Sequence, residues 1–245
     1  MQLASDIAIP KLPVELPEFH RDPFTFTDEV RKEHPWLARF DAGYIVHGYQ
    51  AIRDLAMMDD VLHPGFFGVV EFYGAQDTRW GRFMDEMLIS TSGERHKRLR
   101  DSVAPGFTPR RANEIRTLMQ SVITELLDVW VPKGEFDFSE FSANFPIAVM
   151  CGMLGVSSEP IPRIRKALED QMTSLTFNPA VKPAVLAAFD VLWTFADDLI
   201  VEREQQGPAN DDSELDAMIA AKNAGKMDET ELRFMLLTFL LAGYD

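Results

Sequence analysis

LRFMLLTFLLAGYD, residues 232–245, decides how the rest of this sequence is read. From Phe234 to Ala242 every residue is apolar except Thr238. A helix with no polar side belongs near the centre of a large fold. Gly243 then interrupts the run. Glycine costs about 1 kcal/mol relative to alanine in a helix interior. Such a residue marks a helix end, or a place where something approaches the backbone closely. Asp245 follows. It reads either as a frayed terminal cap or as a carboxylate beside a buried site, where lost solvation suits it to proton handling. Upstream, Asp228 with Glu231 three residues later has the spacing of a capping box and opens this helix.

A second unusual stretch is GERHKRLR, residues 93–100. His96 and Arg100 are four apart and project from one helix face. Arg95, Lys97, Arg98, Arg100, Arg110, Arg111 and Arg116 put seven of the 24 basic residues between positions 95 and 116, against Asp101 and Glu114. The local net charge is +5 in a chain whose total is −15. Such a region either seats an anionic group, with Arg100 forking onto a carboxylate and His96 donating beside it, or forms a solvated basic face. Spacing alone leaves both open.

The remaining composition narrows the class. With 245 residues, 46% of them hydrophobic, the chain can bury a substantial core. The acidic balance argues against broad binding to nucleic acid or to an anionic membrane. No run of about 18 apolar residues offers a membrane span, and the start lacks the basic and apolar regions of a signal peptide. Cytoplasmic residence is the expectation. The single cysteine, Cys151, lies in the apolar run FPIAVMCGMLGV and reads as a core residue. No phosphate-binding glycine loop, HExxH or GxSxG occurs, and His20, His34, His47 and His63 form no ligand spacing.

Helices dominate the pattern. Prolines at 10, 13, 17 and 23 predict an extended arm over residues 1–23, and the rest, 24–245, reads as one domain. A short helix runs from Asp28 to His34, a strand over Gly43 to Val46, and a short helix over Gln50 to Met58. An aromatic-rich loop is expected from Leu62 to Thr78. Thr91 and Glu94 have capping-box spacing ahead of the basic helix. Thr108-Pro109 opens a long helix, Phe145 to Val156 a buried one, and Pro162 to Thr176 another. Periodic apolar positions from Val185 to Ile200 define an amphipathic helix that stops at Gly207-Pro208. A polar linker at Asn210 to Glu214 and a helix over Leu215 to Lys222 complete the series. The class is mainly α with a minor β element.

Taken in order, SGERHKRLRDSVAPGFTPRRANEIR, GEFDFSEFSANFPIAVMCGMLGV and ELRFMLLTFLLAGYD resemble the first half of a bacterial-type cytochrome P450. The likeness spans about residues 24–245, from the A helix to the start of the long I helix. The resemblance implies that His96 and Arg100, on the family's C helix, bind haem propionates. It implies that Ala242, Gly243 and Asp245 belong to the A-G-x-D/E-T motif, with Ala242 and Gly243 forming an oxygen-binding groove and Asp245 delivering protons. Phe66, Phe67, Phe72, Met172, Phe177 and Phe239 would border the substrate pocket. Lys97 and Arg98 would lie where a ferredoxin or flavoprotein electron donor docks.

By the same resemblance the threonine after Asp245, the E-x-x-R pair and the loop carrying the iron-ligating cysteine are absent, and Cys151 does not lie in such a loop. The expectation is a truncated fold whose parent is a soluble haem-thiolate monooxygenase. That parent would carry haem b (iron protoporphyrin IX) and hydroxylate or epoxidise an apolar small molecule with O2. The 245-residue fragment would bind no haem stably, supply no metal ligand and be inactive. The rival expectation is a complete, cofactor-free, all-helical binding or scaffold protein whose apolar surface meets a partner.

Overall fold

A computed structural model describes residues 7–14, 16–41, 43–58, 61–62, 66–157, 161–209 and 213–244. Two compact units divide the chain, Met1–His63 and Pro64–Asp245.

In the first unit, α1 (Pro17–Arg21), α2 (Pro23–Glu33) and α3 (Tyr49–Ala56) accompany a two-stranded antiparallel sheet, β1 (Leu37–Phe40) and β2 (Gly43–Val46). Leu37 lies opposite Val46 and Phe40 opposite Gly43. Leu12, Val30 and Ala38 form its small core. The predicted arm is extended only in part: Leu12 N–H donates to the Arg39 carbonyl at 2.8 Å, holding that segment beside β1. Pro17 and Pro23 instead stand in the first turns of helices, where a missing N–H and a fixed φ are tolerated. Asp22 caps α2 by accepting from Thr25 N–H.

The second unit is helical throughout its described elements: α4 (Phe67–Phe72), α5 (Arg79–Glu86), α6 (Gly93–Val103), α7 (Pro109–Trp130), α8 (Phe138–Leu154), α9 (Ile161–Met172), α10 (Lys182–Gln206), α11 (Glu214–Asn223) and α12 (Glu229–Tyr244). The whole is mainly α with one small sheet, as the pattern predicts. The expected loop from Leu62 to Thr78 contains α4, and α5 follows it with Thr78 as N-cap. Thr108 caps α7 through Arg111 N–H, with Pro109 in the first turn. The Thr91–Glu94 box does not form. Thr91 turns its hydroxyl to the Leu88 carbonyl, and Ser92 precedes α6 without a side-chain cap.

Helix α10 lies along α9, α7 along α8, and α12 packs against α8, α10 and α11. Leu232, Leu236, Leu237 and Leu240 of α12 are fully buried together with Phe83, Ile147, Phe189 and Leu192. This single core places α12 at the middle of the unit, the position its all-round apolarity demands. Among the described residues no helix is long and apolar enough to cross a membrane.

Candidate functional site

The start of α12 is tied to one face of α6. Asp228 and Glu231 form the predicted box in both directions: Glu231 N–H donates to Asp228 Oδ1 at 2.8 Å, and Asp228 N–H to Glu231 Oε2 at 3.0 Å. Glu231, 7% exposed, also accepts both arms of the Arg98 guanidinium at 2.7 and 2.8 Å and Arg95 Nε at 3.2 Å. Arg98 further donates to the Lys226 carbonyl at 2.6 Å. These bonds, Arg98's foremost and opposed by burial, hold the Glu231 carboxyl down at about 2. The expected docking cation Arg98 is therefore a structural fork, since a guanidinium bound bidentately has little left to offer a partner.

The opposite face of α6 is arranged differently. His96 sets Nδ1 3.2 Å from the Leu88 carbonyl. Arg100 is exposed and has no hydrogen-bond or ion-pair partner among the described residues. His96, Arg100 and Val103 follow one another at helical spacing and share a face. Much of the remaining positive cluster is internally neutralised: Lys97 pairs with Asp101 at 2.5 Å, and Arg110 and Arg111 with Glu114 at 2.9 Å each.

Two apolar cavities flank α12. The first, about 420 Å³, is walled by Leu88, Val103, Phe107, Met150, Phe239 and Gly243 among others. The second, about 360 Å³, is walled by Phe66, Met84, Met87, Met172, Ser174 and Leu241 among others. Both include Thr238 and Ala242, one helical turn apart. Each volume lies in the range of small-molecule sites. Thr238 donates its hydroxyl to the Phe234 carbonyl at 2.7 Å, and the methyl of Ala242 takes little room where the cavities adjoin.

The predicted site residues divide between these places. Phe66 and Met172 line the second cavity. Phe239 lines the first, edge-on to Phe107 with ring centroids 6.1 Å apart. Phe72 and Phe177 stack edge-to-face on each other, 5.3 Å between centroids, and line neither. Phe67 lies in α4, and its side chain is outside the described residues, as is Asp245. Helix α12 runs unbroken through Gly243. A Cβ there would stand 2.2 Å from Met150 Sδ, so the close approach of α8 accounts for the glycine. Cys151 is 1% exposed, its thiol is pushed up to about 11 by burial, and it lines neither cavity beside α12. It is a core residue. Thr238, Gln171 and Ser174 were not singled out in the sequence; only Thr238, four residues before Ala242, carried a legible signal of sharing its face.

The second unit is thus a helical body whose apolar central helix, α12, lies between two cavities of small-molecule size. No protein-family model matches the chain. Over 216 residues it is 30% identical to luteothin monooxygenase of Streptomyces thioluteus, covering 87% of this chain and 52% of that protein. It is 27% identical over 247 residues to cytochrome P450 CYP107DY1 of Priestia megaterium, covering 94% and 59%. The solved structure of epothilone B-bound cytochrome P450epoK superposes with a TM-score of 0.80 at 19% identity, over 94% of this chain and 59% of that one, a likeness of fold alone. The chain belongs to the cytochrome P450 superfamily. It spans between half and three-fifths of the length of these curated relatives.

Proposed function

We propose that this chain contributes the carboxylate-anchoring and oxygen-side half of a haem-dependent monooxygenase that hydroxylates or epoxidises an apolar small molecule. The observation that carries the reading is the meeting of two apolar cavities at Thr238 and Ala242, the first walled by the same α6 face that bears Arg100. Iron protoporphyrin fits the first cavity in its apolar walls, in the rings of Phe107 and Phe239, and in the α6 face that gives Val103 to the wall and bears His96 and Arg100. When bound, that group supplies the iron at which O2 is activated.

The chain's own residues do the rest. Arg100 forks onto a propionate and His96 Nε2 meets the same acid pair, because Nδ1 is turned to Leu88. The apolar walls exclude water and strengthen those bonds. Ala242 keeps the passage between cavities open, and the Thr238 oxygen, its proton given to Phe234, presents a lone pair there. Asp245 keeps the proton-delivery role, with Gly243 and Ala242 beside the oxygen site. Cys151, buried and with its thiol pushed up to about 11, is unsuited to serve that iron as a thiolate ligand. A ferredoxin or flavoprotein donor would meet the exposed basic surface of α6 at Lys97.

Haem retention tests this. In the protein its gene encodes, Arg100→Leu is expected to lower haem affinity about tenfold or more, the worth of charge-assisted hydrogen bonds to an acid. Residues 1–245 alone should lack the ferrous–carbon monoxide absorption of thiolate-ligated haem. Unchanged haem occupancy in Arg100→Leu would remove the propionate assignment, and that absorption in the 245-residue chain would contradict the missing thiolate.

A further inference from the structure

We infer that Ser174 is the polar anchor of the second cavity. Its ligand would then be a neutral, largely apolar molecule that turns one hydrogen-bonding oxygen toward the end of α9. This deepens, and rests on, the reading of that cavity as the substrate site. No charged side chain lines the cavity, and its polar side chains are Gln171, Ser174 and Thr238. A charged ligand would lose its hydration there with nothing to replace it.

Two of the three are already committed. Gln171 accepts from Trp80 Nε1 at 2.9 Å and donates to the Val185 carbonyl at 2.5 Å, which fixes its amide between α5 and α10. Thr238 has given its proton to Phe234. Ser174 differs. Its backbone is pinned, with the Tyr73 hydroxyl donating to its carbonyl at 3.0 Å, and the residue is 4% exposed. Its hydroxyl nonetheless has no partner among the described residues. That hydroxyl is not sealed off in the free chain, so a ligand that covers it without matching it would cost about 1–3 kcal/mol. A ligand oxygen that matches it avoids that cost, and a pure hydrocarbon does not. The same asymmetry lets sites built to bond a hydroxyl reject analogues that lack one.

The test compares 2-naphthol with naphthalene as probes, on the wild-type chain and on Ser174→Ala. Binding is followed through the methyl NMR signals of the methionines. Met84, Met87 and Met172 report the second cavity, whereas Met119, Met150, Met153, Met218 and Met235 report the first. The expected result is that both probes shift the second set. The affinity ratio of naphthol to naphthalene should then fall about threefold to tenfold in Ser174→Ala, the worth of one net hydrogen bond. An unchanged ratio would overturn the anchor and leave the cavity's substrate role standing. Failure of both probes to shift Met84, Met87 or Met172 in the folded wild type would overturn the two together.

Discussion

Arg95 and Arg98 on one face of α6 carry the same guanidinium as Arg100 on another. The first two end within 3.2 Å of Glu231, while Arg100 has no partner among the described residues. One helix thus divides its cations between a lock and an open seat. The lock fastens α6 to the N-terminal turn of α12, so the helix that bears Arg100 and the helix that carries Thr238 and Ala242 keep a fixed relation. Arg100, by contrast, has its guanidinium matched by no acid among the described residues. A count of positive residues in the sequence cannot separate the two, because charge density says nothing of which charges are already spent.

The largest expected effect comes from removing the lock's single acid. Glu231→Gln leaves two guanidinium groups facing a neutral amide. It should lower the urea-unfolding free energy of the chain by about 3 kcal/mol, the loss of several charge-assisted bonds that solvent weakens at the partly exposed guanidinium groups. The same residue sets a pH dependence. Its carboxyl is held at about 2 in the folded chain against an ordinary value of 4.5, so between those values the unfolded chain binds more protons. Its contribution is therefore complete above about pH 4.5 and is lost as the pH falls toward 2. Urea titrations across that window should slope in the wild type and flatten in Glu231→Gln.

Arg95 makes one bond to Glu231 and one to Glu86 at 3.1 Å while more than a third exposed. Arg95→Ala should cost about 1 kcal/mol, because solvent weakens such pairs. Lys97→Ala removes a pair with Asp101 in which both partners are exposed, and the smallest change of the series, within the error of the same denaturation experiment, is expected. A Lys97 effect as large as that of Arg95 would mean the lock extends around the helix.

What was legible in the sequence was local. The Asp228–Glu231 box and the Thr108-Pro109 start each depend on residues within three positions, and both form. The apolar run of Phe234 to Ala242 announced a central helix, and α12 is central. Strand β1 escaped notice because Leu37-Ala-Arg-Phe40 lacks β-branched residues and is held by β2 and by the segment around Leu12 rather than by its own pattern. Helices α4 and α5 were obscured by glycines among aromatics. The Thr91–Glu94 spacing misled, since Thr91 found a nearer carbonyl at Leu88. At the site, the i,i+4 relation of His96 and Arg100 was readable. The engagement of Arg98 by Glu231, 133 residues away, was not, and neither was the isolation of the Ser174 hydroxyl. Partners that distant in the chain are chosen by the packing of whole helices.

Parallel denaturation of Arg98→Ala and Arg100→Ala tests the division of α6 most directly. Both substitutions replace an arginine by alanine on one helix, so helix propensity changes equally and slightly. Arg98→Ala is expected to lose about 2–3 kcal/mol with its bonds to a buried carboxylate, and Arg100→Ala to stay within about 0.5 kcal/mol of the wild type. Equal losses in the two variants would contradict the account, for Arg100 would then be as much a part of the scaffold as Arg98.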